Sequence, residues 1–240
     1  MNRPKATVWE EVLTFPPDYD RDFVERLLGR RRRKGLSPST ARRLQRLEGQ
    51  LHSLLAPCLV QNRFRPGFSS GPGGDDDGFV TLGRGVTLGT PKLTRVLRGA
   101  VEVVCYVATV GPEIDGRVVQ LQREGALADA AILDALGSGA VEMVAESFHR
   151  QVAAQLQPHG LLPGPRFSPG YCDWPISDQG KLFSLLNHEL IGVKLEPTGL
   201  MRPRKTVSSL FGVFPQADAP ADRDLIPCRR CDKRDCIARR

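Results

Sequence analysis

Apolar positions recur at helical spacing in three long stretches of the chain. Leu44, Leu47, Leu51, Leu54 and Leu55 follow Ser37-Pro38, a serine N-cap with proline in the first turn, and predict a helix running to Pro57. Leu133, Ala140, Val141, Val144, Phe148 and Val152 form one stripe of a helix over 127–157. From near Ser177 to Ile191, Leu182, Leu185, Leu186 and Leu190 fall on one side of a third. Shorter helices are expected over 18–29, ending at Gly29, from Thr90-Pro91 to Gly99, and over 113–124. The run VEVVCYVATVG, 101–111, is β-branched, apolar and bounded by glycines, and reads as a buried strand. FVTLG and GVTLGT read as strands around a glycine turn, with further strands at 193–196 and 206–214. FSSGPGGDDDG, 68–78, reads as a flexible loop. Strands scattered among helices without a βαβ rhythm predict an α+β fold with a mixed or antiparallel sheet and flanking helices. The divisions expected are a helical part over 1–67, the loop 68–78, a core over 79–214 and a cysteine-containing basic tail over 215–240.

At 240 residues the chain is long enough to bury a real core, and 40% hydrophobic with 25% charged residues is ordinary for a globular protein. There is no apolar run of membrane-spanning length and no apolar leader near the N-terminus, so a cytoplasmic protein without a membrane partner is expected. The net charge of +7 is concentrated in the block Arg30 to Lys34 and in the last thirteen residues. No aromatic residues interleave with these blocks and no nucleic-acid motif accompanies them, which favours a solvated face or an acidic partner protein over nucleic acid.

Candidate chemistry gathers at three places. Arg166-Phe167-Ser168-Pro169-Gly170-Tyr171 is a stiff turn between helical patterns, with a fork-shaped cation and an aromatic hydroxyl for an anionic, partly aromatic ligand. Glu142 and Glu146 lie one turn apart on the flank of the 127–157 helix, where a carboxylate accepts hydrogen bonds from a ligand's amino or hydroxyl groups. The plainer alternative is an exposed face with a Glu146–Arg150 pair. Gly137-Ser138-Gly139, inside the same helix, makes sense where another element packs against the backbone. Of the six cysteines, Cys58 and Cys105 lie in apolar contexts and read as buried thiols. Cys228, Cys231 and Cys236 have the compactness of a metal site, zinc or an iron–sulfur cluster, for which Cys172 or a second chain would supply a fourth ligand; free thiols on a basic tail are the alternative. His52, His149, His159 and His188 show no ligand spacing.

The 127–157 helix, then RFSPGY, then MRPRKTVSSLFGVF occur in an order that resembles the activation domain of cobalamin-dependent methionine synthase, in particular its free-standing forms. The resemblance runs from about Phe79 to Phe214. It implies a C-shaped α+β domain that binds S-adenosylmethionine. It also implies an accessory role in the reductive reactivation of a corrinoid protein, with a cobalamin-dependent methionine synthase core as partner and a flavodoxin- or ferredoxin-like electron donor. Glu146, Arg166, Ser168, Gly170 and Tyr171 fall on the ligand-binding positions. The sequence departs from the family in the Cys172-Asp173-Trp174-Pro175 run, in Ser209-Leu210-Phe211-Gly212, and in lacking an aspartate in FVTLGRGVTLGTPKL. The missing aspartate and the added cysteines favour a second expectation, a metal- or cluster-bearing interaction protein of corrinoid metabolism that no longer binds S-adenosylmethionine, while the intact Arg166–Tyr171 turn favours the first and leading one.

Overall fold

The computed structural model describes residues 11–29, 35–71 and 74–217. The three tail cysteines, Cys228, Cys231 and Cys236, and the basic block Arg30 to Lys34 lie outside the described residues. The centre is an antiparallel five-stranded sheet in the order β1 (Glu11–Thr14), β2 (Cys58–Phe64), β6 (Glu102–Thr109), β10 (Thr206–Pro215) and β7 (Leu161–Pro163). The protein is α+β, as its pattern predicts. Both sheet faces are covered, which is why the strand over 101–111 reads as continuously apolar. Along β6 the side chains alternate: Val104, Tyr106 and Ala108 enter one hydrophobic cluster, and Val103, Cys105 and Val107 enter the other.

The first cluster lies between the sheet and a helical layer. Its centre is α6 (Leu127–Leu156), flanked by α1 (Arg21–Leu27), α2 (Pro38–Glu48) and α5 (Glu113–Arg123). The expected stripe of α6, Leu133 through Val152, is buried. Gly139 is where α1 crosses: the Asp20 N–H donates to the Gly139 carbonyl at 3.2 Å. On the exposed rim of the layer, Arg43 and Arg46 of α2 both pair with Asp129 of α6, at 2.8 and 2.5 Å.

The second cluster lies on the opposite face. It is roofed by α4 (Pro91–Leu97), α7 (Gln179–Phe183) and a small sheet of β3 (Gly67–Gly71), β4 (Gly74–Thr81) and β5 (Thr87–Leu88). Ser37 caps α2 by accepting from the Thr40 N–H, and Thr90 caps α4 by accepting from the Leu93 N–H, each followed by its proline.

Four expectations need correction. Within the stretch 68–78, expected as a loop, the described residues belong to the strands β3 and β4, with Phe68 opposite Val80 and Ser69 opposite Phe79. Its glycines and aspartates hide strands whose pairing is made by backbone, helped by the Thr94 hydroxyl donating to the Gly78 carbonyl at 2.8 Å. The part over 1–67 is not purely helical: it contains β1 and β2. The α2 pattern breaks after Glu48, resuming as a single turn α3 (Leu51–Leu54). The third helical stretch is one short helix, α7, between 3₁₀ turns at Ile176–Asp178 and His188–Ile191. Leu182, Leu185 and Leu186 are buried, but Leu190 is 56% exposed, because α7 ends at Phe183 and the 3₁₀ turn that follows does not continue its α-helical face.

Candidate functional site

The segment after β7 is stitched to the sheet. Phe167 and Leu210 exchange backbone hydrogen bonds at 2.8 and 2.9 Å, the Gly164 N–H donates to the Gly212 carbonyl at 2.7 Å, and the Ser209 hydroxyl donates to the Phe167 carbonyl at 2.9 Å. Extended backbone alternates sides. Phe167 therefore enters the second cluster, where it stacks on Trp174 at 5.9 Å, while Arg166 is directed to the α6 side.

There Arg166 meets both flank glutamates. Its Nη2 lies 3.3 Å from Glu146 Oε2 and 3.8 Å from Glu142 Oε2, and its guanidinium hydrogen-bonds to the Tyr106 hydroxyl. Burial works against the arginine's charge, but Tyr106, Glu142 and Glu146 outweigh it and the pKa is raised. Glu146 thus pairs with Arg166 rather than with Arg150, whose Nη2 turns to Ser147 Oγ at 3.5 Å and Met143 Sδ at 3.7 Å. Tyr106 is fully buried in β6, edge-on to Phe148 at 5.2 Å. His149 closes the other side: Nε2 meets the Gly164 carbonyl at 2.8 Å and the ring stands edge-on to Phe211 at 4.9 Å. Burial holds its pKa below the ordinary imidazole value.

The turn follows at once. The Tyr171 N–H donates to the Ser168 carbonyl at 3.1 Å, the Trp174 N–H to the Tyr171 carbonyl at 3.0 Å, and the Gly170 N–H to the Trp174 carbonyl at 2.8 Å. Gly170 sits at φ 88°, a left-handed conformation that glycine takes without strain. Cys172 is also left-handed, at φ 52°. Tyr171 is 41% exposed, so its ring has a face to offer. The Gly170 and Tyr171 N–H groups are spent on holding the turn.

The turn is anchored at two further points. Asp173 accepts from the Thr90 hydroxyl at 3.1 Å and from the Lys92 N–H at 2.8 Å, which ties it to the start of α4. Trp174, 1% exposed, donates from Nε1 to Asp178 Oδ2 at 3.2 Å. The sequence reading did not single out Tyr106, and it gave His149 and Asp173 no place at this site. The signal for Tyr106 was a phenol in an apolar strand, since a buried tyrosine hydroxyl requires a partner.

Among the described residues, no cluster of histidine, cysteine, aspartate or glutamate is arranged to hold a metal. Cys105 is buried and Cys58 half-buried, and burial raises the pKa of both thiols. No helix among the described residues is long and apolar enough to cross a membrane.

No family model matches the sequence, and no curated protein matches it. Among solved structures the chain is similar to the MetH reactivation domain bound to AdoHcy, with a TM-score of 0.59 and 17% sequence identity over 88% of this chain and 79% of that one. The likeness is one of fold.

Proposed function

We propose that the chain binds S-adenosylmethionine beside the Arg166–Tyr171 turn. In this reading it serves as an accessory subunit in the reductive reactivation of a corrinoid protein, with a cobalamin-dependent methionine synthase core as partner and a flavodoxin- or ferredoxin-like electron donor. The observation that carries the reading is the pairing of Arg166 with Glu146 next to that turn, in a fold shared with a domain solved with AdoHcy. The residue types suit the ligand. A guanidinium fork receives an α-carboxylate, and a glutamate receives an α-ammonium. Arg166 already holds Glu146 and Glu142, so an incoming carboxylate shares or displaces them while the ligand's ammonium takes a glutamate in exchange. Tyr106 fixes the guanidinium from below, and the exposed ring of Tyr171 supplies a surface for the adenine or the thioether chain. Cobalamin, held by the partner, would supply the cobalt that accepts the methyl group. This chain's share is to hold the methyl donor and present it.

Titration calorimetry with S-adenosylmethionine on the full chain tests the ligand site. The parent should bind, and Arg166→Ala should weaken binding by about 1.5–3 kcal/mol, the usual loss for a charge-assisted hydrogen bond. Glu146→Gln, which keeps the shape, should weaken it less. No heat at millimolar ligand with a folded parent would overturn the ligand assignment. The accessory role is tested by the visible spectrum of a corrinoid partner supplied with S-adenosylmethionine and a low-potential reductant. Recovery at the same rate with and without the chain would overturn it. The second expectation, a metal-bearing interaction protein, rests on Cys228, Cys231 and Cys236 and is tested by metal analysis of the parent against the triple serine variant.

A further inference from the structure

Two chain reversals share Tyr171. In the first, the Tyr171 N–H reaches back to the Ser168 carbonyl, with Pro169 and Gly170 between them. In the second, the Trp174 N–H reaches back to the Tyr171 carbonyl, with Cys172 and Asp173 between them. The Gly170 N–H on the Trp174 carbonyl joins the two. Both backbone polar groups of Tyr171 are therefore held, and the direction of its ring follows from the conformations on either side of it. Those conformations are left-handed, Gly170 at φ 88° and Cys172 at φ 52°. Glycine takes the first freely, whereas a β-carbon makes the second unfavourable. Among the described residues, Arg84 is the one other non-glycine residue at positive φ.

A strained residue persists where its surroundings over-determine it. The residue after Cys172 is Asp173, whose two carboxylate oxygens take the Thr90 hydroxyl and the Lys92 N–H at the start of α4. Thr90 is itself fixed, since its oxygen also caps the Leu93 N–H, and α4 is seated by the buried Leu93, Val96 and Leu97. The charge on the carboxylate strengthens its bonds to this rigid body. The other flank of the turn is looser. Ile176 packs under Gly170, with its Cδ1 3.5 Å from where a Cβ on that glycine would stand, but it is 56% exposed. Beyond it lies an open depression, whose far wall is the hairpin of β8 (Lys194–Leu195) and β9 (Met201–Arg202). Ile176 thus supports the Gly170 half of the turn, and Asp173 adjoins the strained Cys172 half.

We propose, on the reading that S-adenosylmethionine binds beside this turn, that Asp173 is its positioning residue. By clamping the chain to the start of α4, Asp173 holds Cys172 in the left-handed conformation and so sets the direction in which Tyr171 presents its ring. Asp173 touches no ligand. It pre-forms the surface that the ligand meets, so that binding does not have to order the turn.

The test compares the full chain with Asp173→Ala, Cys172→Gly and the double variant, by calorimetric titration with S-adenosylmethionine, amide exchange and thermal unfolding. Asp173→Ala should weaken binding by about tenfold and speed exchange at Tyr171 and Trp174. Cys172→Gly alone should bind as the parent does. In the double variant glycine takes the left-handed conformation without the clamp, so about threefold of the lost affinity or more should return and exchange should slow again. The thermal midpoint lost with the bonds to α4 should not return, because Cys172→Gly does not touch α4. A merely structural role for Asp173 would move affinity and midpoint together. Affinity and exchange unchanged in Asp173→Ala, or a loss of affinity that the double variant keeps in full, would overturn the proposal. A parent that binds no S-adenosylmethionine would overturn the ligand reading instead. Exchange then decides the positioning role, and acceleration that is absent, or not reversed in the double variant, overturns it. Should Asp173→Ala not fold, Asp173→Asn, which keeps one acceptor oxygen, is judged by the same comparison.

Discussion

Val24 Cγ2 lies 2.4 Å from the point where a Cβ on Gly139 would stand, and the Asp20 carbonyl oxygen lies 3.2 Å from it. Helix α1 therefore approaches α6 backbone to backbone, and only glycine permits the crossing. In an open helix, glycine to alanine gains about 1 kcal/mol of propensity. Here the valine is fully buried and stiff about its first torsion, so the clash wins. Gly139→Ala should destabilise the protein by about 1–3 kcal/mol. Gly116→Ala in α5, where nothing lies within 4 Å, should stabilise it by about 0.5–1 kcal/mol. Urea unfolding of both variants checks the pair, and equal effects would remove the close-approach argument.

Removing Arg166 should cost more stability than removing Glu146. Arg166→Ala leaves two glutamates facing each other and takes the Tyr106 hydroxyl's donor away. After Glu146→Ala, Glu142 still holds the arginine at 3.8 Å. Losses of about 1–3 kcal/mol and under about 1 kcal/mol are expected respectively. Denaturant curves for the two variants decide the order, and they belong beside any binding measurement on either.

Asp173→Ala should cost about 1–2 kcal/mol, because it removes acceptors from Thr90 and Lys92 at the first turn of α4. Amide exchange should accelerate at Gly170, Tyr171 and Trp174, whose N–H groups close the turn. Faster exchange confined to α4 would show that the turn holds its shape without the aspartate.

Acid should weaken the protein in two stages. Burial disfavours the charged form of His149, so its folded pKa lies below the ordinary 6.5. The unfolded chain then binds the extra proton first, and stability falls as pH drops below about 6.5. Arg43, then Arg46, hold Asp129 below its ordinary 3.8. That contribution is intact above pH 4 and is lost as pH falls through the folded value. Thermal midpoints against pH should show the upper stage shrink in His149→Gln and the lower stage shrink in Asp129→Asn. An unchanged profile in either variant would reassign that stage.

The elements legible in the sequence were those with a strong period or a strong cap. The stripe of α6, the capped starts at Ser37 and Thr90, and the β-branched strand β6 needed only local information. What was hidden depended on partners. β1 and β2 show no clean alternation, because β2 is an interior strand with Leu59 and Val60 buried on opposite faces. Gly74–Thr81 is a strand because β3 and β5 pair with it, although its glycines and aspartates read as a loop. At the candidate site, Glu146 and Arg166 were singled out from sequence twenty positions apart. That they touch each other, with Tyr106 from a third element, is a tertiary fact no window of sequence contains. Asp173 stands in the sequence only as part of a run that departs from the resembled family, and its two bonds to the start of α4 are a tertiary fact.

The position of β10 has a consequence for how the protein is made. This strand lies inside the sheet, between β6 and β7, and Thr206 pairs with Thr109, 97 positions earlier. Until that late strand has left the ribosome, β6 has an open edge and the Arg166 segment has no Leu210 to bond with. Closure over such a span is slow, because the entropy of the intervening chain is lost before the contacts are gained. The nascent chain thus carries β6 paired by β2 on one side and open on the other until β10 emerges, and the backbone bonds that hold the Arg166 segment to Leu210 form only after that.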